Sequence, residues 1–229
     1  MRTVAATLIW LTIAACAAPA APSAVPTATP SPKPTLAVPL LGGQTLQPGS
    51  YRVGYVLPLN VVVTVGPGWH SFADAFVLSA GERTAIAFYR VINGYRDPCD
   101  WQGHELEPAI GSSVDDLMAA VASRPERKPS QPAPLTMSSW SGKVVEWSVP
   151  LDANFADCDL GQYQTWTVSN WGGGDVGQRF QQAPGQMNRY YALDINGTRL
   201  VIDESWGTDA TAVERTELRA LVESLSITQ

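Results

Sequence analysis

The sequence feature that most constrains the fold is the pair Asn196-Gly197, which lies between two runs of β-forming residues. The runs cover residues 190–195 and 198–203. Asparagine and glycine tolerate the positive φ angles of a type I′ turn, so the pair predicts a tight antiparallel hairpin. Because side chains alternate along a strand, this hairpin also sets which residues share a face of the sheet.

Two amphipathic helices are predicted by capping boxes. Ser113 precedes Asp116, and Thr211 precedes Glu214, at the spacing that lets each side chain cap the other residue's backbone N–H. Apolar residues at helical spacing follow each box, and such a stripe must be buried. The stripes are Val114, Leu117, Met118 and Val121 in the first helix, and Leu218, Leu221, Val222 and Leu225 in the second.

Further strands are predicted at residues 51–55, 60–65, 76–78, 84–92, 143–149, 163–168 and 226–228. The valine run within 60–65 is expected to be buried on both faces, and the proline-rich segment 129–134 is expected to be a loop. These elements predict an α+β fold, a single domain with a mainly antiparallel sheet packed by two helices. A β-sandwich with peripheral helices is the alternative.

The N-terminus has the layout of a secretory signal. Arg2 is followed by an apolar run, residues 4–15, which is shorter than the roughly 20 residues that cross a bilayer. Ile13-Ala14-Ala15-Cys16 resembles the lipobox of bacterial lipoproteins, in which the cysteine is acylated and becomes the first residue. We therefore expect a signal peptide at 1–15 and lipidation, palmitate included, at Cys16. An ordinary secretory signal with cleavage after an Ala-x-Ala site such as Ala15-Cys16-Ala17 is the alternative.

The segment 16–40 is rich in proline and alanine and is expected to be a lipidated linker. Residues 41–229 then form the globular domain, since no second low-complexity stretch of similar length interrupts them.

Charge narrows the choice of partners. The chain has 15 basic and 21 acidic residues, and removal of Arg2 with the signal peptide leaves 14 basic residues and a net charge of −7. This balance argues against nucleic acid and favours neutral or cationic partners. We expect a monomer without a cofactor, attached to the membrane through its lipid.

Three cysteines become an even pair once Cys16 is assigned to lipid. Cys99 and Cys158 are then expected to form a disulfide in an oxidising compartment. That bond would gather four acids at one junction and make them weak candidates for calcium, with solvated turn acids as the alternative. The four are Asp97, Asp100, Asp157 and Asp159.

Catalytic motifs are sparse. The chain lacks Gly-x-Ser-x-Gly and has only two histidines, His70 and His104. His70 beside Ser71, with Asp74 nearby, is the best local set for a nucleophile and its base, and a surface loop is the alternative. Two histidines without a spare cysteine also argue against zinc. No catalytic residue is assigned.

Tryptophan supplies the candidate binding surface. Seven tryptophans remain after the signal peptide. Trp147 and Trp166 are expected in the core, and Trp101 is expected to pack on the disulfide. Aromatic rings at strand or loop ends can stack on sugars or on a partner. The candidate surface consists of Trp69, His70, Trp171 and Trp206, with hydrophobic anchoring of loops as the alternative.

Four segments together resemble a group of uncharacterised bacterial secreted lipoproteins. They are residues 63–69 with the strand end Gly66-Pro67-Gly68-Trp69, the loop Asp97-Pro98-Cys99, the hairpin 193–202 and the terminal helix 217–225. The strand end and the terminal hairpin and helix are also similar to the PsbP-like fold of some LpqN-type lipoproteins. That likeness implies an antiparallel sheet between helices and transfers no catalytic residue.

We therefore expect an extracytoplasmic domain that is lipid-anchored to the bacterial cell membrane. It would bind an envelope polymer, a small ligand or a protein partner without catalysis. An envelope hydrolase with an unrecognised site is the alternative, and a purely structural role is a third.

Replacement of Cys16 by serine tests the anchor, because serine cannot accept the thioether-linked lipid. We expect Cys16→Ser to move the protein out of the membrane fraction, as measured by fractionation and immunoblotting. Retention of the variant in that fraction would contradict lipidation.

Overall fold

The computed structural model describes residues 37–54, 59–73, 76–79, 81–169 and 176–229, and of Ala73, the strand 76–79 and Val176 only the backbone. Within these ranges lie fourteen strands and two α-helices. The strands are β1 Val38–Pro39, β2 Gln44–Leu46, β3 Gly49–Arg52, β4 Asn60–Val65, β5 Trp69–Ala73, β6 Phe76–Ser79, β7 Thr84–Gly94, β8 Ala133–Met137, β9 Trp140–Ser148, β10 Gln164–Ser169, β11 Val176–Phe180, β12 Met187–Ile195, β13 Thr198–Trp206 and β14 Ser226–Thr228. The helices are α1 Val114–Ala122 and α2 Ala212–Glu223.

The strands form two sheets. The larger has the order β2-β5-β6-β7-β13-β12-β9-β8, with β10 paired to both β7 and β11, and the smaller has the order β1-β3-β4-β14. Every pairing is antiparallel except that of β1 with β3. The mixed α+β, mainly antiparallel architecture predicted from the sequence is confirmed.

The predicted hairpin is the centre of the larger sheet. Asn196 and Gly197 have φ angles of 52° and 82°, which explains the choice of these residues at the turn. β12 and β13 pair without a bulge from Ile195 opposite Thr198 to Met187 opposite Trp206. The hairpin is therefore three residues longer on each strand than the predicted one.

One core lies between the larger sheet, the smaller sheet and α2. From α2 it receives the predicted stripe, with Leu218 completely buried. In β4, Val61 and Val63 are buried in this core, whereas Thr64 is exposed. The expectation that the valine run is buried on both faces is therefore wrong, because the outer face of the smaller sheet is open to solvent.

A second core covers the opposite face of the larger sheet. α1 packs Leu117, Met118 and Val121 against side chains that include Trp147 and Tyr190. The disulfide between Cys99 and Cys158 lies at the edge of this core, and its prediction is confirmed. Trp147 and Trp166 are 1% and 2% exposed, as predicted.

The two cores contain different residues of β12. Tyr191, Leu193 and Ile195 belong to the first core, and Tyr190 and Ala192 belong to the second. The central strands are therefore apolar on both faces, which is the pattern of a sheet covered on both sides.

Two segments differ from their predictions. β8 begins at Ala133, within the segment that was expected to be a loop, because an edge strand accommodates Pro134 without losing a ladder hydrogen bond. At the other end of the chain, Val38–Pro39 pairs with β3 and Leu40 is buried, so the folded part includes the last residues of the segment assigned to the linker.

Truncation of a buried leucine tests the packing of α2. Leu218→Ala leaves a cavity in the first core, and we expect a loss of about 2–5 kcal/mol in the free energy of unfolding, measured with urea. Val213→Ala is the control, since Val213 lies on the same helix and is 66% exposed; its effect should stay below about 0.5 kcal/mol. Equal effects of the two variants would contradict this packing.

Candidate functional site

The histidine that was the best candidate for catalysis lies on β5. His70 Nε2 is 3.6 Å from Glu82 Oε1. Ser71 is buried, and its hydroxyl donates to the Leu41 carbonyl and accepts from the Gln44 backbone N–H at 3.1 Å. Neighbouring residues of a strand point to opposite faces, so His70 and Ser71 are not arranged as a base and its nucleophile. Asp74 lies outside the described residues.

Of the tryptophans of the candidate binding surface that the structure describes, Trp69 and Trp206, one lies at a groove. Trp69 is 4% exposed within the first core, so the expectation of an exposed ring there is wrong. The reason is that the chain continues after Gly68 as β5, which turns this ring inward instead of ending in a loop. Trp171 lies outside the described residues. Trp206 is half-buried at the end of β13.

Trp206 lines a groove of about 360 Å³ at one end of the larger sheet. Its apolar lining includes Met187, which pairs with Trp206 across the hairpin, and Leu151, which is 76% exposed. Three charged side chains complete the lining: Glu126, Lys128 and Arg215. This combination of an apolar surface with a few charged groups is typical of ligand-binding sites.

Gly185 gives the groove part of its shape. The residue has a φ angle of 75°, and a Cβ at this position would lie 2.6 Å from Leu151 Cδ2 and 2.7 Å from Thr208 Cγ2. Leu151 and Thr208 both line the groove. A side chain at this position would therefore be strained in its backbone and would displace Leu151 and Thr208.

Arg127 anchors the charged segment of the groove. Its side chain is buried, with the guanidinium carbon 5.1 Å from the ring centre of Trp147, 5.7 Å from that of Tyr163 and 5.8 Å from that of Trp166. Such cation–π contacts are strongest when they are desolvated. Glu126 and Lys128, on either side of Arg127, are thereby held at the groove.

A network of charges around the buried Glu204 lies behind Trp206. The Arg189 guanidinium carbon is 5.4 Å from the Trp206 ring centre, and Arg189 Nη2 pairs with Glu146 Oε2 at 2.5 Å. Glu204 is 2% exposed and accepts a hydrogen bond from Tyr191 Oη at 2.6 Å. Arg219 Nη2, from α2, lies 3.0 Å from the other Glu204 oxygen, Oε1.

Burial raises the pKa of Glu204 to about 7, although the Tyr191 hydrogen bond and the Arg189 charge act in the opposite direction. The dominant cause is the loss of water around the carboxylate. This group therefore changes charge near neutral pH, on the strand that ends at Trp206.

The four acids near the disulfide are engaged separately. Asp97 Oδ1 accepts from the Cys99 N–H at 2.8 Å, and Asp159 Oδ2 accepts from the Trp101 N–H at 2.9 Å. Asp157 accepts from Asn154 Nδ2, and Asp100 Oδ2 lies 2.9 Å from His104 Nδ1. No group of three His, Cys, Asp or Glu side chains among the described residues could hold a metal ion.

Trp101 joins the two loops that the disulfide links. Its indole N–H donates to the carbonyls of Asp159 and Gln162, both at 3.1 Å. The polar groups of this region therefore stabilise loops.

Sequence reasoning missed Leu151, Lys128 and Arg215 as residues of the site. They come from a turn after β9, a loop after α1 and the first turn of α2, and no local pattern connects them. Tertiary packing alone brings them beside Trp206.

Comparisons with protein-family models, with curated proteins and with solved structures found no match. The resemblance to secreted lipoproteins and to the PsbP-like fold therefore stays a prediction. Neither helix in the described part of the chain is long and apolar enough to span a membrane.

Substitution of Glu204 tests the buried carboxylate. A folded-state pKa near 7, against an ordinary value of 4.5, means that the native state binds the proton more tightly than the unfolded chain. The stabilisation from Glu204 is then fully present below pH 4.5 and is lost as the pH rises through 7, a change of about 3 kcal/mol. We expect Glu204→Gln to abolish this decline in urea unfolding between pH 4.5 and 8.

Glu214→Gln provides a contrast of opposite sign. The hydrogen bond from Arg83 lowers the pKa of Glu214 to about 2, so its stabilisation is present above pH 4.5 and disappears as the pH falls through 2. This variant should be less stable than the wild type at neutral pH, and its stability should approach that of the wild type in acid.

The outcome that would contradict the raised pKa of Glu204 is an identical dependence of stability on pH in the wild type and in Glu204→Gln.

Proposed function

We propose that this protein is a lipid-anchored extracytoplasmic binding protein that uses the groove around Trp206 as its binding site. The observation that carries the proposal is the groove itself, about 360 Å³ in volume with an aromatic ring and charged side chains in its lining. A volume near the lower end of the range for ligand sites fits a small ligand or a short segment of a polymer.

The surroundings of the groove support binding by a preformed site. Trp206 lies on a long paired strand, α2 carries Arg215, and Arg127 holds the segment of Lys128 by its contacts with three aromatic rings. The backbone of such supports needs little rearrangement when a ligand binds, which favours affinity.

Binding without chemistry agrees with the state of two serine hydroxyls that are candidate nucleophiles. In the groove, the Ser148 hydroxyl donates to the Arg127 carbonyl at 3.3 Å. Outside it, Ser71 is committed to two backbone partners. Neither hydroxyl is bonded to a histidine that could take its proton.

The predicted lipid anchor indicates where the groove would meet its ligand. If Cys16 is acylated, the proline-rich segment that follows it would hold the domain away from the membrane, among the polymers of the envelope. We therefore propose envelope glycans as the first ligands to test.

A pair of leucine variants tests the proposal on the full-length protein in detergent micelles. Titration calorimetry with soluble cell-wall glycan fragments should detect binding by the wild type. Leu151→Ala should weaken it about tenfold, since this side chain forms part of the apolar lining. Leu160→Ala is the matched control, because Leu160 is 74% exposed, close to the 76% of Leu151, and does not line the groove.

Trp206→Ala should abolish glycan binding, with circular dichroism to check that the fold is retained. Equal binding by the wild type and by both groove variants would contradict the groove as the site. Hydrolysis of esterase, glycosidase or peptidase substrates that disappears with Trp206→Ala would instead indicate an enzyme.

A further inference from the structure

Two cations that line the groove have no ionic partner within the described part of the chain. Lys128 and Arg215 form no ion pair or side-chain hydrogen bond with any other residue that the structure describes. Several other cations of the domain are paired, among them Lys143 with Asp115 at 2.6 Å and Arg219 with Glu204 at 3.0 Å. Lys128 and Arg215 are both exposed and line the same groove, so the two positive charges are available to one ligand.

Both cations are held on fixed backbone. Lys128 adopts the left-handed conformation, with a φ angle of 48°, and its N–H donates to the Pro125 carbonyl at 3.0 Å. Arg215 lies in the first turn of α2, just after the capping box of Thr211 and Glu214. Their position in the groove is therefore a property of the fold.

Glu126, the one acid among the described residues that line the groove, does not neutralise them. Glu126 Oε1 is 3.9 Å from Arg127 Nε, so its nearest ionic partner is the buried arginine. The groove lining thus has an excess of one positive charge, opposite to the net charge of the chain. Local charge of this kind selects a ligand at close range even where the net charge is of the other sign.

We propose that the groove binds a saccharide that carries a carboxylate. The carboxylate would pair with Lys128 and Arg215, and a sugar ring would contact Trp206 and the apolar residues beside it. A guanidinium and an ammonium together suit the geometry of a carboxylate, and an indole suits the apolar face of a sugar ring. This inference rests on the proposed function and names its ligand class.

A matched pair of ligands tests whether the groove prefers a saccharide with a carboxylate. The probes are the disaccharide of N-acetylglucosamine and N-acetylmuramic acid, which has a lactyl carboxylate, and the N-acetylglucosamine disaccharide, which has none. With the full-length protein in detergent, we expect the acidic disaccharide to bind at least tenfold more tightly, and its affinity to fall as the salt concentration rises.

Charge variants assign the effect to the groove. Lys128→Ala and Arg215→Ala should each weaken binding of the acidic disaccharide about fivefold to tenfold and leave the neutral one unchanged. Lys143→Ala is the control for the loss of a positive charge elsewhere and should bind as the wild type does. Glu126→Gln should bind the acidic disaccharide as tightly as the wild type or more tightly.

The outcomes separate the two proposals. Equal binding of both disaccharides that is lost in Trp206→Ala would overturn the preference for a carboxylate and leave the groove as a glycan site. Absence of binding by either disaccharide, or binding that survives Trp206→Ala, would overturn both proposals. A tenfold preference that persists in Lys128→Ala and Arg215→Ala would overturn the assignment to these cations.

Discussion

The pairing of β12 with β13 is the constraint on which the rest of the structure depends. The two strands turn at Asn196 and Gly197 and remain in register over nine residue pairs. Because side chains alternate along a strand, this register decides which residues enter each of the two cores. A shift by one residue would exchange the two sets, so both cores rely on the same turn.

The register also places two consecutive carboxylates on opposite faces of β13. Asp203 and Glu204 are 0% and 2% exposed, and a buried carboxylate needs compensating partners. Asp203 Oδ2 accepts hydrogen bonds from Arg179 Nε at 2.8 Å and from Tyr89 Oη at 2.9 Å. Burial is the largest single influence and acts to lower the pKa of Arg179, but the charge and hydrogen bond of Asp203, together with Tyr89 and Tyr190, raise that pKa above its usual range. Arg179 therefore keeps its positive charge although it is buried.

Glu204 is compensated in a different way. Arg219 comes from α2 and Arg189 from β12, and both are more exposed than Arg179. Since they are partly solvated, they offset the cost of burial less completely, and the pKa of Glu204 rises to about 7. The network around Asp203 thus stabilises the second core, and the network around Glu204 links the first core to the strand end at Trp206.

The groove lies where β12 begins and β13 ends. Met187 and Trp206 are the last pair of the ladder, and Leu151, Lys128 and Arg215 arrive from three other parts of the chain. The charge of the whole chain would favour neutral or cationic ligands, whereas the side chains in the groove favour an anionic group. At contact distance the nearby charges dominate, since salt screens the distant ones over about 8–10 Å.

Much of the local structure could be predicted because its causes are local. Positive φ angles at Asn196 and Gly197, capping boxes at Ser113 and Thr211 and helical spacing of leucines each act within a few residues. The disulfide followed from cysteine parity and the expected compartment. Among the residues of the candidate surface that the structure describes, Trp206 was found beside a groove.

The features that could not be predicted from the sequence depend on contacts between distant parts of the chain. The sequence by itself determined the hairpin, both helices and the mainly antiparallel sheet, because turn geometry, capping and periodicity are encoded in neighbouring residues. The tertiary structure decided that Trp69 is buried, that residues 133–137 form an edge strand and that Lys128 and Arg215 share a groove with Trp206. Burial and proximity arise only when separate elements pack together, and no local pattern specifies that packing.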